Sequence, residues 1–258
     1  MLRGNKSVED MKAFKRLTSV AAVGCLFISV VNAQLPGGSQ AGLNAGMLKL
    51  FDDVGGFTSK AEIRVQEKGS PDAVTMTVGF AMRDGKVRMD LDMSAVKSKQ
   101  LPPETLAAFK AAGLETLATI VRPDRKSTLL IYPRVQGYTE VPMSRDEAAG
   151  LERKFKIQKT RLGSETLGGY SCDKNNVVIS ADTGEKHHAT VWYATELKDF
   201  PIKVQMEQPQ MTVVFQYRDV KLAPPEASRF EAPAGFTRYG TAEQLMQNAM
   251  MKAMGVKP

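Results

Sequence analysis

Cysteine, histidine and tryptophan are nearly missing from this chain of 258 residues, which has two, two and one of them. Two cysteines cannot build a disulfide framework or a cysteine-based zinc site. The histidines are the adjacent pair His187-His188. Neighbours in a strand point to opposite faces, so the pair cannot chelate one metal without help, and a polar turn pair is the expectation. No serine stands in a motif with either histidine, so no Ser-His-Asp order can be argued and a hydrolase is only a remote third class. Gly55-Gly56 and Gly168-Gly169 lack the Lys-Ser/Thr continuation of a phosphate loop and are expected to be turn glycines. Aromatic residues interleaved with basic ones are sparse, so nucleic acid is not an expected partner. Asp90 and Asp92 share a strand face with Arg88 and predict a solvated face, not a catalytic carboxylate pair. No enzyme, cofactor or metal is expected.

What is present is a globular mixture, 43% apolar and 24% charged with a formal net charge of +7, which excludes disordered, collagenous and multi-span membrane classes. From Met11 the chain reads Met-Lys-Ala-Phe-Lys-Arg, then an uncharged stretch from Leu17 to Val31, then Val31-Asn32-Ala33 before Gln34. A basic region, an apolar region and a small-x-small site in that order predict a signal peptide over 1–33, cleaved after Ala33, and export to the periplasm or cell envelope. The apolar stretch is shorter than the roughly 20 residues a spanning helix needs. The residues before Met11 fit a start codon assigned too early. Ala22-Val23-Gly24-Cys25 offers a weaker lipobox, which would leave Leu26–Val31 as an apolar tail. Removing 1–33 takes away five basic and two acidic residues, so the exported chain is only mildly basic. Cys172 is then its sole cysteine, expected as a small buried hydrophobe.

Gln34 to Gly46 reads as a flexible leader, and 47–258 as one domain dominated by period two. Val74, Met76, Val78, Phe80 and Met82 alternate with small or polar residues; Asp84-Gly85 makes a turn; Val87, Met89, Leu91 and Met93 alternate again. This is an antiparallel hairpin with one apolar face. Similar runs at 57–67, 116–121, 127–132, 136–141, 155–165, 176–180, 189–195, 202–208 and 211–222 bring the total to about eleven strands, one large antiparallel sheet or open barrel. Three helices are predicted. Pro102-Pro103-Glu104 starts the first, Ser144 and Glu147 form a capping box for the second, and Thr241 to Met254 carries an apolar stripe of Leu245, Met246, Ala249, Met250 and Ala253.

The segment Leu162-Gly163-Ser164-Glu165-Thr166-Leu167-Gly168-Gly169-Tyr170-Ser171-Cys172 resembles the Leu-Gly-x-Glu, hydrophobic, Gly-Tyr segment of exported bacterial proteins related to the outer-membrane lipoprotein carriers (LolA/LolB-like). Val191-Trp192-Tyr193, Phe200-Pro201-Ile202-Lys203-Val204, Tyr217 to Leu222 and Phe230 to Phe236 follow in the order of the second half of those domains. The resemblance covers roughly 57–236, is nearest an uncharacterised branch of that superfamily, and includes no catalytic motif. It implies a mainly β (α+β) fold, a curved half-barrel of about eleven strands with helices plugging the concave face and a hydrophobic cavity between. The Cys172–Asn176 run and the Met-rich terminal helix depart from a strict carrier.

The 14 methionines supply either a soft, adaptable ligand surface or ordinary core filling. The candidate ligand-lining residues are Met76, Phe80, Met89, Leu91, Trp192, Phe215, Met246 and Met250. The expected function is an exported binding protein holding an acyl or lipoprotein-like ligand, with possible peripheral association with envelope membranes. The alternative is a non-enzymatic protein-interaction or envelope-stress sensing domain with a closed core.

Overall fold

A computed structural model describes residues 45–99 and 102–256; the expected signal peptide, lipobox and most of the leader lie outside the described residues. Twelve strands form one open sheet. They are β1 (Gly56–Glu67), β2 (Ala73–Arg83), β3 (Lys86–Asp92), β4 (Thr116–Arg122), β5 (Ser127–Tyr132), β6 (Gly137–Pro142), β7 (Phe155–Leu167), β8 (Tyr170–Ala181), β9 (Lys186–Ala194), β10 (Phe200–Glu207), β11 (Met211–Lys221) and β12 (Thr237–Tyr239). The order across the sheet is β12-β6-β5-β4-β3-β2-β1-β11-β10-β9-β8-β7. The chain therefore starts in the middle, meanders outward to β6, crosses to the far edge at β7 and meanders back until β11 pairs with β1. Every neighbour is antiparallel except β12, which lies parallel to β6.

The period-two pattern becomes two faces, because cross-strand partners in a ladder share a side. Phe57, Met82, Val87 and Val121 align across β1 to β4 on one face. Ile63, Phe215, Val204 and Val191 continue that face across β11, β10 and β9. The β2–β3 turn is built as the dipeptide demands, with Asp84 at φ 50° and Gly85 at φ 72°.

The helical segment 45–54 and the C-terminal helix cover parts of the Phe57 face. Residues 45–48 are helical and lie so near β7 and β8 that a Cβ at Gly46 would meet Ile179 at 3.0 Å and Phe155 at 3.4 Å. They run into a 3-10 turn, Lys49–Val54, whose Phe51 is only 2% exposed. Helix α1 (Pro103–Ala111) packs on the 3-10 turn Met93–Ala95. Helix α2 (Arg145–Glu152) carries the crossover and opens with the predicted capping box: the Glu147 amide donates to Ser144 Oγ at 3.2 Å and the Ser144 amide to Glu147 Oε2 at 2.7 Å. Helix α3 (Ala242–Ala253), N-capped by Thr241, buries Leu245 and Ala249 against the β6 side; Ala253, expected on that stripe, is exposed. A Cβ at Gly137 would come within 2.9 Å of the Tyr239 ring and 3.3 Å of Leu245, so only glycine lets β12 and α3 approach β6 this closely. No helix among the described residues is long and apolar enough to cross a membrane.

Two readings are corrected. The strand expected over 176–180 begins at Tyr170, six residues earlier, and takes in the polar run Cys172–Asn176. His187 and His188 sit within β9 and not in a turn.

Candidate functional site

The helix-covered face divides into a closed part and a half-open part. In the closed part Phe51 drops from the 3-10 turn onto rings supplied by four strands. Ring centroids lie 5.1 Å from Phe51 to Phe57, 5.5 Å to Phe200 and 5.6 Å to Tyr217, while Phe57 and Phe80 stack at 5.7 Å and 8°. Such offset and edge-on pairs add to the area they bury. From Phe80, which belongs to this cluster and is itself half-buried, Ile63, Val65, Val74, Met89 and Phe215 continue as half-buried residues, although period two turns all of them to the same face. They form an apolar band across β3, β2, β1 and β11 that the described helices leave partly uncovered.

Five of the eight candidate residues converge there. Phe80 and Met89 are cross-strand partners, Leu91 pairs with Val78, and Met76 and Phe215 both flank Ile63. Phe80, Met89 and Phe215 are half-buried, whereas Met76 and Leu91 are buried. Met246 and Met250 are half-buried on α3, beside β6 and β12. From β6 to β3 is three ladder steps, about 14 Å along the sheet, and to β11 six steps, about 29 Å. The two methionines therefore border a different stretch of the face.

Trp192 requires a correction. It is buried, 4% exposed, but its partner is Lys203 and its other neighbour Lys174, all on the face opposite Val191 and Val204. Lys203 and Lys174 place their ammonium groups 4.3 and 5.0 Å from the indole ring centroid, and the indole N–H donates to Glu165. That bond holds the Glu165 carboxyl below its usual range. Apolar neighbours on both sides in Val191-Trp192-Tyr193 hid the alternation from the sequence.

The helix-covered face holds neutral hydroxyls. Tyr193 Oη and Ser59 Oγ are buried and make no hydrogen bond within the described residues. Burial pushes the Tyr193 and Tyr217 hydroxyls well up, and Tyr132 up to about 12, with Glu243 adding to the last. The lining they contribute is uncharged. Cys172 is free and fully buried, and burial raises its thiol. His187 lies 3.4 Å from Glu185, and burial outweighs that carboxylate to lower the imidazole below its usual 6.5. Among the described residues no cluster of His, Cys, Asp and Glu could hold a metal.

The opposite face carries a feature that sequence reading missed. A strap after β11 seats Phe230, 1% exposed, on Ala81, Ala118, Ile120, Leu129 and Ile131. Arg122, 2% exposed at the end of β4, makes a two-pronged pair with Glu231 at 2.7 and 3.1 Å. Arg88 grips Asp90 and donates to the Arg229 carbonyl, and Arg83 donates to the Pro225 carbonyl. The Arg88–Asp90 pair is thus partly an anchor for the strap, not merely a solvated face. An arginine closing the apolar run Leu117–Val121 was the available signal.

No curated protein matches the chain in sequence. In fold it is similar to the Mycobacterium tuberculosis lipoprotein LppX, at 10% identity over 72% of this chain and 96% of that one, with a TM-score of 0.41. It is also similar to a LolA superfamily protein from Nitrosomonas europaea, at 11% identity over 74% and 97% of the two chains, TM-score 0.31. A third likeness is to the Pseudomonas aeruginosa MucA/MucB complex, at 12% identity over 77% of this chain and 64% of that one, TM-score 0.38. A family model described as a domain of unknown function, DUF4412, matches residues 62–200, which run from within β1 to the first residue of β10 and take in more than half of the chain. The chain belongs to the DUF4412 family.

Proposed function

We propose that this protein is an exported, non-enzymatic envelope protein that holds a hydrophobic ligand, an acyl chain or an acylated protein, on the helix-covered face of its sheet. The half-buried band of Ile63, Val65, Val74, Phe80, Met89 and Phe215 carries this reading. Apolar side chains aligned on a covered face and left partly wet favour an apolar guest by roughly 25 cal/mol for each Å² they lose to water. The unbranched Met89 adapts to chains of different shape. The signal-peptide pattern in 11–33 supports export.

The experiment is mass spectrometry of protein purified from a bacterial periplasm without detergent, followed by titration with a fluorescent fatty acid. A stoichiometric lipid, or saturable uptake that Met89→Lys abolishes and Met250→Lys leaves intact, is the expected result. A clean apo mass with no uptake overturns it. The aromatic closure around Phe51 favours a second reading, a packed core whose outer surface binds or senses another protein. That reading gains if uptake fails.

A further inference from the structure

The far edge of the sheet is unlike its other strands. β7 is the longest described strand at 13 residues and is bonded on one side only, to β8. From Lys156 to Thr166 no residue is buried. Alternate residues of such an edge turn their amide and carbonyl groups away from the sheet, a ready template for another strand. Edge strands are ordinarily short, covered or removed by closing the sheet.

The charge along this edge has one sign over most of its length. Arg153, Lys154, Lys156, Lys159 and Arg161 fall within nine residues that hold no acidic side chain. Lys156 lies on one face of the strand and Lys159 on the other, so a chain laid along the edge meets cations on both sides, whereas Arg161 is already held by Asp173 at 2.8 Å. At the irregularity between Arg161 and Gly163, Leu162 stands 56% exposed and offers an apolar contact. A second copy of the chain is a poorer occupant, because pairing the basic stretch 153–161 with itself sets these cations against one another, and like charges facing across a ladder destabilise it.

We infer that β7 docks an extended acidic segment of a partner protein, which adds a strand to the sheet by backbone pairing and is selected by Lys154, Lys156 and Lys159. Main-chain bonds supply the affinity and the charge row supplies the choice of partner. The site lies at the sheet edge and stands whether or not the helix-covered face binds a lipid. Lysines also protect edges from aggregation, and the test separates the two roles.

The experiment measures fluorescence anisotropy of a short labelled peptide alternating Glu and Val against the purified protein. Two further peptides carry N-methyl groups along one backbone edge or the other. Saturable binding is expected, weakened at least about tenfold by methylation of one edge and little by the other, because only one edge faces β7. Lys154→Glu/Lys156→Glu weakens it by a similar factor, and hydrogen exchange slows in 155–162 when the peptide binds. Equal effects of the two methylated peptides, binding that survives the charge reversal, or no binding overturn the inference. A self-dimer in sedimentation that the peptide fails to dissociate also overturns it. If the charge-reversed variant does not fold, the methylated peptides decide the question alone.

Discussion

β5 and β7 are cut from the same sheet and have opposite environments. Five of the six residues of β5 are buried, whereas β7 buries none of its 13. The difference comes from what lies over each. On the β4–β5 side, α3 reaches β6 from one face and the strap with Phe230 closes the other. Their sequences read accordingly, as near-continuous apolar runs, Leu117 to Val121 and Leu129 to Tyr132. β7 mixes Phe155, Ile157 and Leu162 with cations and small polar residues. A sheet of this kind is stabilised from outside its own plane, and where cover ends, surface available to partners begins.

The comparison breaks most severely if the strap is lifted. Phe230→Ala empties a fully enclosed site and is expected to cost about 3–5 kcal/mol in urea denaturation. A loss below about 1 kcal/mol would show that the strap is not part of the cooperative unit. Glu231→Gln leaves the buried Arg122 guanidinium without its two-pronged carboxylate, with only Asp124 at 3.5 Å. Because Glu231 is half-exposed, the expected cost in the same assay is smaller, about 2 kcal/mol.

On the β7–β9 side the expected effects shrink. Burial lowers the His187 pKa in the folded chain despite Glu185 nearby, while Arg153 and His188 act in the same direction as burial. A depressed imidazole contributes stability that is complete above its unfolded value and is lost as the pH falls through that value toward the folded one. Urea midpoints of the parent protein should therefore drop more between about pH 7.5 and about pH 5 than those of His187→Gln. Equal drops would remove His187 from the acid response. Smallest of all, Thr160→Ala on β7 should change stability by no more than about 0.5 kcal/mol, the usual range for an exposed site. A larger loss in urea would mean that the edge is already covered in solution.

Much of this contrast was legible in the residues. Alternation located eleven of the strands, Asp84-Gly85 fixed a hairpin, and Ser144 with Glu147 marked the start of α2, because each is a local rule satisfied by local atoms. β12 was not legible: three residues pairing in parallel with β6 have no period to read. The strap was not legible either, since its anchors lie 109 residues apart in the Arg122–Glu231 pair. Of the candidate site, the residues on strictly alternating strands, from Met76 to Leu91, were placed on one face correctly. Trp192 was not, because an unbroken apolar stretch conceals which neighbour faces in and the irregularity between Pro201 and Lys203 shifts the pairing.

The position of that single tryptophan divides the molecule optically. Its indole lies on the side of the sheet away from the Phe51 cluster, held by Glu165, Lys174 and Lys203. Emission excited selectively from it therefore monitors the strands between β7 and β10, and a guest entering the apolar band should leave its wavelength unchanged. The tyrosines Tyr193 and Tyr217, on the covered face, are the native reporters for that guest. The indole thus reports on one side of the sheet alone.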